Sequence, residues 1–295
     1  MNEHDFLAGR FEEHRGHLKA VAYRMLGSLS EAEDAVQEAW LRLSRADADG
    51  VDNLGGWLTT VVGRVCLDML RTRTSRREEP LATHLPDPVV TREGAADPEQ
   101  AALVADSVGL ALLVVLESLT PTERLAFVLH DMFAVPFEEI APLVGRSPAA
   151  ARQLASRARR RVRGAAPVPD PDLSRQRKVV EAFIAAAHQG DFGALVAVLD
   201  PDVVLRADQG AVLAGGWTEI RGAANVAGQA LAFRSQSPST GHHALVNGMA
   251  GVINTVNGKP SAVMSFTISN GLIVAIDILA DPERLARLDL TDLTG

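Results

Sequence analysis

The strongest constraint on the fold lies between residues 137 and 163, where a short apolar pattern ends at Gly145 and a strongly basic pattern begins. Gly145 suits the left-handed residue that closes a helix. Ser147 then suits the N-cap position, and Pro148 suits the first helical position, where no backbone hydrogen bond is lost. The spacing predicts two helices joined by a tight turn.

The second of these helices is basic although the chain as a whole is acidic. From Gly145 to Gly164 there are seven arginines and no acidic residue, in a chain of 295 residues with a formal net charge of −8. Guanidinium groups neutralise phosphates, and the start of such a helix reaches base edges in the major groove. The pattern favours a DNA-binding helix-turn-helix, with a solvated basic helix as the alternative.

The periodicity of the basic helix separates inward from outward positions. Leu154, Ala158 and Val162 recur at helical spacing and are expected to face the core. We expect the DNA contacts to come from the turn and the outward positions: Arg146, Ser147, Arg152, Gln153, Ser156, Arg157 and Arg160.

The N-terminal region, about residues 6–77, is predicted to be helical. Ser30 followed by Glu33 has capping-box spacing and marks the start of a second helix, which we expect to run from Glu31 to about Ser44. Asn53–Gly56 is a break, after which residues 57–73 predict a third helix. The lone cysteine, Cys66, lies among apolar residues and is interpreted as a buried structural thiol. No metal or cofactor is predicted.

Two proline-rich segments divide the chain. The predicted domains are residues 1–79, a linker at 80–97, residues 98–164 with a leading helix from about Pro98 to Ser118, a hinge at 165–173, and residues 174–295. The N-terminus has no signal-peptide pattern, and no apolar run is long enough to span a bilayer. We therefore expect a cytoplasmic protein without a membrane partner.

The C-terminal region changes character after a first helix, which Gly190 is expected to end. Asn247–Gly248, Asn257–Gly258 and Asn270–Gly271 are each flanked by apolar or alternating residues. Asn-Gly is a strong signal for a two-residue hairpin. A helix packed on a meander of antiparallel strands, about 243–246, 250–256, 261–269 and 272–279, predicts an α+β domain.

Three segments in this order resemble the bacterial extracytoplasmic-function sigma factors, which carry regions 2 and 4 only. Residues 34–41 resemble the helix that grips the RNA polymerase clamp, residues 57–71 the helix that reads the minus-10 element, and residues 137–159 the minus-35 helix-turn-helix. The resemblance covers about half the chain. It implies two all-α sigma domains, with core RNA polymerase and promoter DNA as partners.

The resemblance also implies which residues make these contacts. For the polymerase, the implied positions are Asp34, Gln37, Glu38, Leu41 and Arg42, although an ordinary amphipathic helix would show the same charge pattern. For the minus-10 element, they are Asn53, Trp57, Arg64, Arg71 and Arg73. Many family members have Asn where this chain has Arg64, and Trp57 is equally compatible with a core position.

The C-terminal region is similar to the SnoaL-like domain, of the nuclear-transport-factor-2-like fold, that the SigJ-type group of these factors carries as an α+β cone with a curved antiparallel sheet. Relatives share three motifs: Leu-Pro-Glu-Pro after region 2, a glycine-rich motif after an Asp in the C-terminal domain, and an Asn-Pro-Asp-Lys-Leu-type motif near the end of the chain. The resemblance implies regulation in cis through the matching positions: Leu85, Pro86, Asp87, Pro88, Asp208, Asp281, Pro282, Arg284 and Leu285. The first motif has Asp87 in place of Glu, and the glycine-rich motif is degraded, to residues 208–211.

An enzyme of the SnoaL-like or ketosteroid-isomerase-like kind, fused to a DNA-binding segment, is the main alternative. Asp277 alternates with apolar residues on a predicted strand, and a carboxylate in such surroundings suits proton transfer. Arg206, Asp208, Trp217 and His242 are candidates to join it. A solvated strand-end Asp explains the same pattern, and a small-molecule ligand in the C-terminal pocket is a further candidate partner. A plain helix-turn-helix repressor would leave the first two sigma-like segments unexplained.

Overall fold

The computed structural model describes residues 3–45, 53–75, 84–92, 109–210, 217–236, 239–288, 290 and 293. These residues form two compact units. The first contains residues 3–45, 53–75 and 115–165, and the second contains residues 84–92, 109–114 and the described residues from 166 onward. Each unit has its own apolar core.

The first unit begins with three helices: α1 (Glu3–Leu26), α2 (Leu29–Leu43) and α3 (Leu54–Ser75). The N-cap of α2 is Ser28, whose hydroxyl accepts a hydrogen bond from the Glu31 amide. The predicted capping box at Ser30 is therefore wrong, because the helix starts two residues earlier and places Glu31 at its third position. Cys66 is buried in α3, as predicted, and burial raises the pKa of its thiol.

Four helices and a π-helical turn continue the chain: α4 (Leu110–Glu117), α5 (Pro121–Phe127), the π turn (Val128–Met132), α6 (Phe137–Val144) and α7 (Pro148–Ala165). Helix α4 includes residues of both units, and residues 98–108 of the predicted leading helix lie outside the described residues.

The predicted helix-turn-helix is confirmed in α6 and α7. Gly145 adopts the left-handed conformation with φ of 64°, and the Ser147 hydroxyl accepts a hydrogen bond from an amide in the first turn of α7 at 3.3 Å. The buried face of α7 consists of Ala151, Ala155 and Ala158, whereas Leu154 and Val162 are half-buried. The buried face is therefore centred on the alanines and not on Leu154 and Val162, because small side chains allow α7 to lie close to α5 and α6.

Helices α1 and α3 pack against α5 and the π turn within this unit. The absent side chain of Gly63 lets Leu125 and Leu129 approach α3, since a Cβ at residue 63 would lie 3.0 Å from Leu129. Arg124, which is 1% exposed, donates a hydrogen bond to the Met25 carbonyl at 2.9 Å. The two helical segments therefore share one core.

The second unit is an α+β structure. Its helices are α8 (Leu173–Gln189), α9 (Phe192–Val198), α10 (Ala223–Gln236) and α11 (Pro282–Leu285). Its strands are β1 (Val90–Thr91), β2 (Leu199–Asp208), β3 (Trp217–Arg221), β4 (Thr240–Val246), β5 (Met249–Val256), β6 (Lys259–Ser269) and β7 (Leu272–Leu279).

The strands form one sheet in the order β1-β4-β5-β6-β7-β2-β3. The predicted meander is confirmed as β4 to β7, and Asn247, Asn257 and Asn270 have φ between 50° and 53° in the turns. Strand β2 runs parallel to β7, and β3 pairs with β2 at one edge. Neither strand carries an Asn-Gly hairpin signal, and residues of β2 pair with residues of β7 that lie 71 positions later in the chain, so the local pattern predicted neither strand.

The two faces of the sheet carry different clusters. Phe266 and Ile276 face Val180 and Phe183 of α8 in the larger core. On the opposite face, Leu279 belongs to a smaller cluster with residues from β1, α11 and the C-terminal segment. This second face also carries the charged side chains of β2 and β7, because successive residues of a strand point to opposite faces.

Candidate functional site

The outward face of α7 and the preceding turn present the residues predicted to contact DNA. Arg146, Ser147, Arg152, Gln153, Ser156, Arg157 and Arg160 are all exposed. Arg152 lies over the ring of Phe137, with its guanidinium carbon 5.2 Å from the ring centroid. A cation held on an aromatic face near the helix start is pre-oriented for a planar, bidentate contact.

Other arginines of α7 lean back onto acidic side chains of the same unit. Arg157 and Arg161 lie 3.5 and 3.6 Å from the carboxylate of Glu123 in α5. Arg159 contacts Asp131 of the π turn at 2.6 Å. The basic helix is therefore divided into arginines that point outward and arginines that are paired internally.

A second exposed stripe follows α3. Asn53, Arg64 and Arg71 are exposed and Trp57 is half-buried, at spacings that place all four on one side of the helix. The Asn53 side chain accepts a hydrogen bond from the Gly56 amide at 3.0 Å and so caps the first turn. We call these four residues the α3 face.

Arg73 does not belong to the α3 face. It forms an ion pair with Glu31 of α2 and donates a hydrogen bond to the Leu26 carbonyl, and its side chain is only 17% exposed. Arg73 thus joins α3 to α2, which supplies a carboxylate beside it, and its minus-10 contact stays a prediction.

The predicted polymerase-contacting residues share one side of α2. Asp34, Gln37 and Leu41 are exposed, while Glu38 and Arg42 are half-buried and paired with each other at 2.9 Å. Leu41 is one of few large apolar residues exposed in the described chain, at 38%. The groove beside this stripe has a volume of about 600 Å³ and lies between α2 and α3.

The second unit contains a buried polar cluster that ties the segment after α3 to the sheet. Arg284 donates to Asp208 at 2.7 Å, to Asp87 at 2.5 Å and to the Leu85 carbonyl at 2.6 Å. The Leu85 amide donates to Asp208 at 3.0 Å, and Asp208 is fully buried. We call Leu85, Asp87, Asp208 and Arg284 the linker clasp.

The remaining motif residues build the surroundings of the clasp. Asp281 caps α11 by accepting hydrogen bonds from the amides of Glu283 and Arg284, with Pro282 at the first helical position. Leu285 packs in the smaller cluster, and Pro86 and Pro88 are buried. The positions that the resemblance indicated thus meet in one cluster within this unit.

The same segment adds a strand to the sheet. Val90 and Thr91 of β1 pair with β4, and Val89 exchanges hydrogen bonds with Asn247 through its amide and its carbonyl. The proline-rich linker was expected to lack regular structure, but residues 84–92 form part of the second unit. An edge strand offers unpaired backbone groups to such a segment.

The candidate catalytic carboxylate lies on the sheet face that carries the clasp. Asp277 is 1% exposed and pairs with Arg206 at 2.6 Å, on the side of β7 opposite to Ile276 and the helices. Burial raises the pKa of Asp277, although Arg206 acts in the other direction. The alternative of a solvated strand-end Asp is therefore wrong, because the side chain is buried.

Two protein-family models match helical segments of this chain. The family models for "Sigma-70 region 2" and "Sigma-70, region 4" match residues 10–76 and 109–162. The chain is 40% identical over 287 residues to the ECF RNA polymerase sigma factor SigJ of Mycobacterium tuberculosis, covering 93% of this chain and 91% of that protein. The chain belongs to the extracytoplasmic-function sigma factors. The predicted family resemblance is confirmed.

Two further comparisons support this membership. The probable ECF RNA polymerase sigma factor SigI of the same species is 36% identical over 291 residues, covering 97% of both chains. The crystal structure of the M. tuberculosis SigJ superposes with a TM-score of 0.78 at 38% identity, covering 96% of this chain and all of that one. The predicted fold, helical regions 2 and 4 followed by an α+β domain, is confirmed.

Membership establishes the general activity. An ECF sigma factor binds core RNA polymerase and promoter DNA and initiates transcription, so both predicted partners are confirmed. The chain is a transcription factor subunit rather than an enzyme, which excludes the alternative of an isomerase-like enzyme fused to a DNA-binding segment. Within the described ranges, no helix is both long and apolar enough to cross a membrane.

The sequence reasoning missed the acidic partners of the basic helix. Glu123 forms a capping box with Thr120 at the start of α5, and this spacing was visible in the sequence. Its pairing with Arg157 and Arg161 was not visible, because it depends on how α5 packs against α7.

Proposed function

We propose that the α3 face contacts the minus-10 element and that the outward residues of α7 contact the minus-35 element. Arg157, which pairs with Glu123, is not counted among these contacts. The observation that carries this proposal is the exposure of two separate basic faces, one in each segment matched by a sigma family model. Arg and Gln side chains at a helix start can form bidentate contacts with guanine and adenine in the major groove. On the α3 face, Arg64, Arg71 and the half-buried Trp57 offer cationic and aromatic surface to unpaired bases.

Run-off transcription from a promoter library tests this assignment. The full chain is combined with core RNA polymerase, and transcripts from the library identify the preferred minus-35 and minus-10 sequences. Replacing Arg152 with Ala should reduce transcription from the preferred promoter by roughly 5- to 150-fold, the value of one bidentate base contact. Arg163→Ala is the matched control, since Arg163 is exposed on the last turn of the same helix. Equal losses in both variants would contradict the assignment.

We further propose that the α2 stripe of Asp34, Gln37, Glu38, Leu41 and Arg42 binds core RNA polymerase, in the cytoplasm. The stripe combines an exposed leucine with charged groups, and the adjoining groove supplies concave surface between α2 and α3. Interfaces of this kind use a buried apolar anchor inside a polar rim. The domain division of residues 1–79, 98–164 and 174–295 remains our working assignment.

Promoter binding requires the first unit to open. The minus-10 and minus-35 elements lie roughly 25 base pairs apart, about 85 Å at about 3.4 Å for each base pair. A folded unit of roughly 120 residues has a radius of gyration of only about 14 Å. The α3 face and α7 therefore cannot reach both elements while α3 packs on α5, so we propose that this contact, which includes Gly63 and Leu129, separates on the promoter.

We propose that the C-terminal domain regulates this opening through the linker clasp. Residues 84–92 belong to the segment that joins region 2 to region 4, and the clasp and β1 hold them on the second unit. Nine residues of extended chain span about 30 Å. While the clasp and β1 hold residues 84–92, this part of the linker cannot extend between the two promoter elements. The clasp thus restrains the sigma regions.

Transcription by the full chain with a weakened clasp tests the restraint. Arg284→Gln should raise run-off transcription at subsaturating holoenzyme, because the linker segment is released more often. Arg287→Gln is the control, since Arg287 is exposed just beyond α11. Unchanged or lower output from Arg284→Gln, with normal output from Arg287→Gln, would refute regulation by this contact.

A further inference from the structure

Glu123 has an unusual position among the acidic residues near the DNA-binding helix. Its side chain is 10% exposed, and one of its oxygens accepts a hydrogen bond from the Thr120 hydroxyl at 2.9 Å. The same carboxylate lies 3.5 Å from Arg157 and 3.6 Å from Arg161, whose side chains are 56% and 51% exposed. Residues 157 and 161 are one turn apart, so both extend from the same side of α7.

The position of this carboxylate matters because a carboxylate and a phosphate compete for the same guanidinium group. Arg157 and Arg161 are exposed enough to reach a nearby phosphate, yet the structure turns both towards Glu123. Arg152 and Arg160, by contrast, are exposed on the outward side of the same helix. The helix therefore presents fewer available cations than its sequence contains.

We propose that Glu123 limits the affinity of α7 for DNA by holding Arg157 and Arg161 away from the DNA backbone. The inference rests on the proposed binding of DNA by α7. Phosphate contacts supply essentially all of the affinity for unrelated DNA, whereas base contacts supply the preference for one sequence. Withholding two cations therefore weakens binding to promoter and to unrelated DNA by about the same factor and makes both affinities less dependent on salt.

The test measures binding of the full chain, without polymerase, to two fluorescent duplexes. One duplex contains the minus-35 sequence selected from the promoter library and the other contains the same bases scrambled. In the variant Glu123→Gln, the amide can still complete the capping box with Thr120, so the start of α5 is retained. Affinities are measured by anisotropy between about 50 and 200 mM salt, the range over which phosphate contacts change affinity strongly.

The expected result is a change in the salt dependence. Each released arginine that reaches a phosphate should steepen the slope of log affinity against log salt by about 0.9. Glu123→Gln should therefore bind both duplexes with slopes steeper by about 1 to 2, while the ratio between the two affinities stays about the same. Glu138→Gln is the matched control, because it makes the same charge change at an exposed position on α6.

Two outcomes would overturn the proposal. The first is an identical slope and scrambled-duplex affinity in Glu123→Gln and Glu138→Gln. The second outcome comes from single arginine variants that keep Glu123. We expect Arg161→Gln to leave the salt slope almost unaltered and Arg160→Gln to reduce it by about 1. Equal reductions in both would show that Arg161 already contacts phosphate. Failure of Arg152→Ala to weaken promoter binding would instead refute the proposed function.

Discussion

Replacing Arg284 with Gln should detach the linker segment from the C-terminal domain while leaving the first unit intact. The Arg284 side chain donates to Asp208, Asp87 and the Leu85 carbonyl, and it is 17% exposed. Gln is too short to reach all three acceptors. Asp208, which is fully buried, would keep its hydrogen bonds from the amides of Leu85 and Gly210 and its contact with the His84 ring at 3.4 Å.

The size of the expected effect on opening of the linker segment follows from the burial of the Arg284–Asp208 ion pair. Removing one partner of a buried ion pair costs about 3–5 kcal/mol, and we take the lower end, about 3 kcal/mol, because two amide donors to Asp208 remain. Since about 1.4 kcal/mol corresponds to a tenfold change, opening of the segment should become about 100-fold more frequent. The Leu85 and Val89 amides, which both donate to side chains of the second unit, report this opening directly.

Hydrogen exchange of the full chain, followed by mass spectrometry, measures the effect. Exchange of the peptide covering residues 84–92 should accelerate about 100-fold, while a peptide from α7 should exchange as before. The double variant Asp208→Asn with Arg284→Gln should recover part of the loss, because the uncompensated buried charge is then absent. Exchange of residues 84–92 within threefold of the unchanged chain would show that the clasp does not hold this segment.

Three further substitutions have defined outcomes. Gly210→Ala should lower the melting temperature of the second unit, at a cost of about 1–3 kcal/mol, since Gly210 has φ of 73° and a Cβ there would lie 2.6 Å from Asp281; an unchanged melting curve would contradict this. The pKa of Asp277 is raised in the fold by burial, so the folded state binds the proton more tightly, and the unchanged chain should gain stability relative to Asp277→Asn as the pH falls from about 7 to 4. Thermal melts of both chains across that pH range measure this difference in stability. A difference that shrinks as the pH falls would contradict the raised pKa of Asp277. Leu41→Ala should weaken binding to core RNA polymerase by about tenfold, with Phe233→Ala, another exposed apolar residue, as the control.

Local chemistry made part of the fold predictable. The end of α6 at Gly145 and the start of α7 at Pro148 follow from backbone preferences of single residues, and the structure confirms both. The Asn-Gly turns behave in the same way, since each fixes the register of its own hairpin. The prediction failed at the start of α2, where both Ser28 and Ser30 could serve as the N-cap, because packing decides which residue caps the helix.

The parallel pairing of β2 with β7 was not predictable on these grounds. The two strands are separated in the chain by β3, α10 and the strands β4 to β6, and nothing in the residues of β2 specifies a partner. The placement of Asp277 shows the same limit. Alternation indicated that it shares a face with Leu279, but only the assembled sheet shows that this face lies opposite the one covered by α8, α9 and α10.

The sequence by itself determined that this chain carries a basic helix-turn-helix, a preceding helical domain and an α+β domain with hairpins, because each depends on residues close together in the chain. Only the tertiary structure decided which arginines of α7 face outward and which pair with Glu123 and Asp131. It also brought Arg284 to Leu85, 199 residues away. The physical reason is that a charge acquires its role from the groups that burial places beside it, and burial is a property of the packed chain.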